Sequence, residues 1–427
     1  MKFKQRDVQN QRIERISTNH LIIGIDIAKE RHVARAVTYR GLEIGRPVTF
    51  ENQGEGFGKL LRWIGQLQQQ KGLSSLIIGL EPTGHYWFSL ADWLMDLGHE
   101  VVLVNPLTTK RNKENRDNSQ SKNDIKDALV IADAVSRGYY TTYNRHAAIY
   151  RRLRMVMNDR EYWVKQLTSL KGRLHRWLDI HFPEYRLVFS DWEIARSVAT
   201  LKAFPLPEDI APMTAEQMIT GWKEEGGMKR AGGKTGLETA ARLLAVARSS
   251  VGSKVGCEEA RKEIARLVED YERLTERLKE MEHELDILLA QVPDVVNLLR
   301  TIKGLSTLFI AALLAGCGEI SKYAHGQQIL SQAGLNLTDN SSGKYEGKVG
   351  ISKRGRRQLR KYLYLGTLSL ITNNPQFKRW HEQNVKEKKM KKHRSVFKLI
   401  GKLTRIMIGM VKRGEAFRAN DVQEAAA

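Results

Sequence analysis

Cysteine is almost missing from this chain: Cys257 and Cys317 are the only two in 427 residues. Two thiols exclude a disulfide-stapled scaffold, and no Cys/His cluster has the spacing of a zinc site. Long apolar runs are missing as well. No uncharged apolar stretch approaches the ~20 residues needed to span a bilayer. The opening MKFKQRDVQNQRIER lacks the apolar core of a secretory signal. No membrane partner is expected, and a cytoplasmic location is. Acidic residues are in deficit, with 48 Asp+Glu against 70 Lys+Arg and a formal net charge of +22. The excess is concentrated: the stretch from Arg300 to Arg418 holds 25 Lys and Arg against 6 Asp and Glu, or +19. A field of that size favours polyanions and makes binding salt-dependent through counterion release. A ribosomal or membrane-surface protein carries the same bias, so charge gives only the class of partner.

The scarce acids are the informative ones. Asp26 ends the apolar run LIIGID and Glu81 ends a second run, LIIGLE. Continuous apolar runs of this length read as strands buried on both faces. Asp124 and Asp127 share the helical-looking NDIKDALVIADA and, three residues apart, project from one side of a helix. Carboxylates are hard oxygen ligands suited to Mg²⁺, and two such ions about 4 Å apart can clamp both oxygens of a phosphodiester displacement. Four unrelated surface acids are the bland alternative. The shared template of the two strand-end acids argues against it.

Residues 1–19 read as a polar arm and 20–147 as an α/β domain. Three successive strands (LIIGIDIA, HVARAVTY, RPVTFEN) precede alternating helices and strands, which predicts a mixed sheet with helices on both faces. Residues 148–292 read as helical, beginning with a long amphipathic helix over about 148–180. A Pro- and Gly-containing basic insert follows at about 181–255, either separately folded or mobile. Its GGKT lacks the P-loop glycine, since Met228 stands five residues before Gly233. From 257 to 292, Ile264, Leu267, Tyr271, Leu274, Leu278, Met281, Leu285 and Leu288 alternate spacings of three and four, the seam of a coiled coil. That seam serves either an intramolecular hairpin with the 148–180 helix or self-association into a homo-oligomer.

Residues 293–418 read as mainly α-helical, ahead of a tail at 419–427. In IKGLSTLFIAALL, Gly304 permits the turn of a helix-hairpin-helix whose backbone N–H groups can face a phosphate, although a plain helix pair fits the pattern equally well. Ser341 and Ser342 precede Gly343 in a polar loop, and GISKRGRRQLRK follows. A serine hydroxyl can attack a phosphodiester when nearby charge stabilises the transition state, which Lys353, Arg354, Arg356, Arg357 and Arg360 could supply. Ser-Ser-Gly alone is usually only a loop. Lys388, Lys389, Lys391 and Lys392 in KEKKMKKHR read as a solvated phosphate-binding patch, conferring affinity without sequence preference.

Taken together, GIDIAKE, GLEPTGHYW and SKNDIKDALVIAD at one end, and IKGLSTLFIAALLAGCGEISKY, AGLNLTDNSSG and GISKRGRRQLRKYL at the other, resemble the DEDD-type insertion-sequence transposases. That family includes the pilin-gene DNA invertases and the bridge-RNA-guided recombinases. The resemblance implies a ribonuclease-H-like, RuvC-like domain, then a coiled coil and a helical transposase domain. It implies that Asp26, Glu81, Asp124 and Asp127 bind Mg²⁺ and that Ser342 is the nucleophile. It further implies double-stranded DNA as substrate and a structured guide RNA as partner. The chain departs from the family pattern at Leu337, where proline is usual, at Arg356, where asparagine is common, and in the length of 181–255.

Three rival functions follow from the residues. A Holliday-junction resolvase using metal-activated water needs the acids but not Ser342. A non-catalytic nucleic-acid binder needs neither. An actin-like ATPase shares GIDIA, but Lys29 and Glu30 stand where small polar residues are normal.

Overall fold

The structure is a computed structural model that describes residues 9–112, 123–143, 148–338 and 349–418. The chain folds as two units, Met1–Arg145 and His146–Ala427.

The first unit is built on a six-stranded mixed sheet in the order β3-β2-β1-β4-β5-β6. Its strands are β1 (His20–Asp26), β2 (Arg31–Val37), β3 (Glu43–Glu51), β4 (Ser75–Leu80), β5 (Glu100–Leu103) and β6 (Thr141–Thr142). β1 pairs antiparallel with β2 and parallel with β4, and β4 pairs parallel with β5. Among the described residues five helical segments accompany them: α1 (described over 9–14), α2 (Gly54–Lys71), α3 (Trp87–Asp96), α4 (Pro106–Asn112) and α5 (Asp124–Ser136). The apolar runs of β1 and β4 are continuous because each face has its own cover. Leu21, Ile23, Ile25, Ile78 and Leu80 pack with Phe57, Leu60 and Ile64 of α2 and Leu90 and Leu94 of α3. On the other face Ile22 and Ile77 pack with Ile131, Ala132 and Val135 of α5.

Two register-paired glycines set how closely α5 approaches. A Cβ at Gly24 would lie 2.2 Å from the Ala128 carbonyl oxygen, and one at Gly79 would lie 2.5 Å from Val135 Cγ2. The helix rests directly on the strand backbone at these points, which no larger residue permits.

Among its described residues the second unit is helical apart from one small hairpin. Its spine is an antiparallel pair, α6 (Ala148–His181) and α12 (Cys257–Leu289). The direction is fixed by contacts along its length: Arg160 Nη2 to Glu282 at 2.6 Å, Arg173 Nη2 to Glu263 at 3.4 Å, and Trp177 Nε1 to the Ala260 carbonyl at 3.0 Å. Ile264, Leu267, Leu274, Met281, Leu285 and Leu288 are buried, so the heptad seam is occupied within the chain and forms the intramolecular hairpin.

The spine carries a core at each end. At one end lie α7 (Tyr185–Val188), α8 (Ala195–Ala203), α9 (Pro207–Ile210), α10 (Ala215–Glu224) and α11 (Lys234–Arg248). Trp222, Tyr185 and Phe182 are among the side chains packed there with Leu174 and Ile264 of the spine. The stretch 181–255 is therefore folded onto the spine. The other end gathers α13 (Pro293–Arg300), α14 (Thr307–Cys317), α15 (Gly326–Gln332), α16 (Arg357–Asn373), α17 (Pro375–Glu382) and α18 (Lys392–Arg413) around a second core. α14 is buried from Phe309 to Cys317, which accounts for its uninterrupted apolar sequence. The hairpin strands are β7 (Leu337–Thr338) and β8 (Gly350–Ile351). Among the described residues no helix is long and apolar enough to cross a membrane.

Candidate active site

In the first unit, sheet register brings two of the predicted acids to one place. Ile25 pairs with Leu80 across the parallel β1–β4 ladder, so Asp26 and Glu81 are equivalent positions at the same end of neighbouring strands. Adjacent strands run about 4.8 Å apart. Each acid follows its glycine, Gly24 or Gly79, by two residues, so Asp26 continues the sheet face that α5 covers, and Glu81 emerges from it. Both are half-buried. Asp127 directly precedes Ala128, whose carbonyl rests against Gly24, and it is buried. Asp124 begins α5 and is exposed, one turn before that contact. Asn123 caps the helix, its side chain accepting the Ile125 N–H at 3.0 Å.

The loops leaving the two acids are held. Beyond Asp26, the Ala28 N–H donates to His32 Nδ1 at 3.3 Å and Asn52 donates to the Lys29 carbonyl at 3.2 Å. His32 is fully buried, edge-on to Phe50 and stacked on Phe57, and burial lowers its pKa. Beyond Glu81, the Thr83 N–H closes a turn onto the Glu81 carbonyl at 2.8 Å. His85 is exposed beside Tyr86, their ring centroids 4.2 Å apart, whereas Trp87 is buried edge-on to Tyr143.

An all-carboxylate donor set fits the oxygen chemistry of Mg²⁺, and Asp26 and Glu81 are its register-fixed members. Among the described residues no three His, Cys, Asp or Glu side chains are drawn together closely enough to enclose an ion.

In the second unit, Ser342 lies outside the described residues, as do Ser341 and Gly343. What flanks them is well defined. Leu337 pairs with Ile351 and Thr338 with Gly350. The pairing continues below the strands: Ser352 N–H to the Asn336 carbonyl at 2.9 Å, Lys353 N–H to Gly334 at 2.9 Å, and Arg356 N–H to Gln332 at 2.7 Å. The Ser352 hydroxyl also meets Asn336 Oδ1 at 2.6 Å. A hydrogen-bonded stem thus joins α15 to α16 and bears the segment that contains Ser342.

Comparison with known proteins agrees with both halves. A transposase model of the DEDD type matches residues 23–183, and a second, described as Transposase IS116/IS110/IS902 family, matches residues 296–382. The chain belongs to the IS110/IS116 transposase family. The insertion element IS116 uncharacterized 44.8 kDa protein of Streptomyces clavuligerus is 24% identical over 354 residues, 82% of this chain and 85% of that protein. The pilin gene-inverting proteins of Moraxella lacunata and Moraxella bovis are 29% and 28% identical over 151 residues, or 35% of this chain. The chain spans 45% of the length of each of these two.

Within the family's C-terminal segment, the basic residues divide by what they touch. Arg356 donates to the Gly316 carbonyl at the end of α14, and Arg360 Nη1 donates to the Ala333 carbonyl at 2.7 Å. These two guanidiniums brace the stem. Lys353, Arg354 and Arg357 are exposed, and Lys353 holds a left-handed φ of 53°. Lys388, Lys389 and Lys391, between α17 and α18, and Lys392, the first residue of α18, are exposed, in a segment anchored where His381 Nδ1 and Asn384 Nδ2 meet the buried Ser395 hydroxyl at 2.9 and 3.2 Å. Gly304, with φ 101°, packs its turn against α16: Ser369 Oγ donates to its carbonyl at 2.8 Å, and Asn374 donates to that of Lys303 at 3.0 Å.

Sequence reasoning missed Gly24 and Gly79 as the floor for α5, and His32 as the brace behind Asp26. The glycines had a signal: each stands two residues before its acid, in two matching templates.

Proposed function

We propose that the chain is a DNA recombinase that mobilises an insertion element by breaking and rejoining phosphodiester bonds. The observation that carries this reading is the register match of Asp26 and Glu81 at the ends of parallel strands, inside the segment that the DEDD transposase model covers. The mixed sheet, with acids on β1, after β4 and on α5, supports a RuvC-like reading of that unit.

In this scheme Asp26, Glu81, Asp124 and Asp127 would hold Mg²⁺. The ion's chemistry is to offset charge developing on the scissile phosphate. Ser342 supplies the nucleophile. Its Oγ bonds to phosphorus as the bond to the 3′ oxygen breaks; the serine proton passes to a nearby base, and the leaving oxygen takes up a proton. The phosphoserine bond is then attacked by a 3′-hydroxyl of the exchanging strand, which restores the diester and frees the serine. Lys353, Arg354 and Arg357 offset phosphate charge around the stem. The partners in this reading are double-stranded DNA, a structured guide RNA that selects sites by base pairing, and further copies of the chain. Since α6 occupies the heptad seam, those copies meet through other surfaces.

A covalent-trapping assay tests the scheme. Protein, RNA, Mg²⁺ and labelled DNA spanning an element junction are incubated, denatured and resolved on a gel. A protein–DNA adduct that disappears in Ser342→Ala and in Asp26→Asn is the expected result. Cleavage with no adduct in the wild type overturns the serine step and favours the hydrolytic resolvase.

A further inference from the structure

A cleft opens one residue beyond Glu81. It has a volume of about 360 Å³, and its lining includes Pro82, Asn105, Thr108, Arg12, Tyr139 and Tyr140. It sits just past the carboxyl ends of β4 and β5, the sheet edge at which α/β folds collect ligands. Its size lies within the ~300–1,000 Å³ usual for small-molecule seats.

The wall that bears the tyrosines is deliberately shaped. α5 ends with Gly138 in a left-handed turn at φ 72°, the Gly138 N–H bonding to the Val135 carbonyl at 2.9 Å and the Tyr139 N–H to the Ala134 carbonyl at 2.8 Å. Gln9 Nε2 ties α1 to the same corner through the Arg137 carbonyl at 3.1 Å. Gly138 and Tyr140 are buried, yet Tyr139 between them is 47% exposed. Arg12 lies over the Tyr140 ring, 5.7 Å from its centroid. Among the described residues no carboxylate lines the cleft, although Glu81 stands beside it. An accessible aromatic face, one guanidinium and amide and hydroxyl groups suit a planar heterocycle joined to a phosphate.

We propose that this cleft seats one unpaired nucleotide of the nucleic acid held at the acidic site, its base against Tyr139 and its phosphate toward Arg12. The proposal rests on the recombinase reading, which supplies a strand opened near Glu81. Single-stranded DNA and single-stranded RNA share the required chemistry.

The test uses the full-length protein without Mg²⁺, so that binding is read apart from cleavage. The probes are a thymidine oligodeoxynucleotide and a uridine oligoribonucleotide, each with one central 2-aminopurine and an end label for anisotropy. The wild type is expected to bind and quench the 2-aminopurine. Tyr139→Ala is expected to lose the quenching and bind about tenfold more weakly, while Tyr139→Phe, which keeps the ring, retains both. The probe that shows this pattern identifies the source of the nucleotide, and a response from both assigns the seat to either strand. Thermal melting of the variants, expected to match the wild type because Tyr139 is exposed, checks that the fold is intact. Wild-type binding that Tyr139→Ala leaves unchanged in affinity and quenching overturns the seat but leaves the recombinase reading standing. Failure of the wild type to bind either probe at low salt also overturns the seat, whereas the recombinase reading stands or falls on the covalent-trapping assay.

Discussion

The two units present their candidate chemistry in different ways. In the first, Asp26 and Glu81 are fixed by a parallel ladder buried on both faces, and their separation follows from strand pairing. In the second, the segment containing Ser342 is borne on a stem of a few main-chain hydrogen bonds, stiffened by Arg360 and by the Asn336–Ser352 pair. A sheet edge sets charge positions once, at folding, which suits a site whose task is electrostatic. The stem's described base, by contrast, is held to a helical body by hydrogen bonds between α15 and α16. The contrast teaches that changes in the first unit should act on chemistry through charge or through α5. Changes around the stem should divide between bracing and phosphate contact.

The largest effect expected is on the first side of that contrast. Asp26→Asn or Glu81→Gln removes one carboxylate without changing volume, and each should lower strand cleavage by at least ~10²-fold while DNA affinity holds. Gel-resolved cleavage together with a binding titration checks this. Equal loss of binding and cleavage would break the distinction. Gly24→Ala should act on the same site through packing, because its Cβ would collide with the Ala128 carbonyl at 2.2 Å and the Ala132 nitrogen at 2.3 Å. We expect about 1–3 kcal/mol of destabilisation in a denaturant melt, with cleavage lost as α5 is displaced.

How much of this could be read from the chain varies with the kind of interaction. The β1 and β4 runs were legible because burial on both faces removes alternation, and two matching templates made their acids stand out. The hairpin of α6 and α12 was legible only as a choice. A heptad seam specifies an apolar partner but not whose, and Arg160, Arg173 and Trp177 decide that through contacts about 80 to 120 residues away in sequence. Arg356 and Arg360 read as phosphate contacts, and composition could not show that each also donates to a backbone carbonyl. Nor could the pattern show that Gly304 serves packing against α16, since a helix-hairpin-helix and a plain helix pair demand the same turn.

Around the stem the effects should be smaller and separable. Arg360→Ala removes the donor to the Ala333 carbonyl and should cost about 1–2 kcal/mol of stability. Arg357→Ala should leave the melt unchanged but reduce the slope of log K against log salt by about 1. A fluorescence melt and a salt titration on both variants separate bracing from contact. Reversed assignments would show that the carbonyl contacts are incidental.

The smallest effect returns to the first unit and to the brace behind Asp26. His32 accepts the Ala28 N–H through Nδ1, which requires that nitrogen to carry no proton. Burial holds its pKa below the ordinary 6.5. The unfolded chain therefore takes up a proton as pH falls through about 6.5, while the folded state still resists it. The folded state then binds fewer protons, so stability is full above that pH and declines below it, until the folded pKa is reached. His32→Gln keeps a side-chain acceptor but cannot titrate, and it should flatten this part of the pH–stability curve. Denaturant melts of wild type and His32→Gln at pH 7.5 and at pH 5.5 measure the difference. If both lose the same stability on acidification, the carboxylates carry the acid sensitivity of the unit and the imidazole serves only as a fixed acceptor for the turn after Asp26.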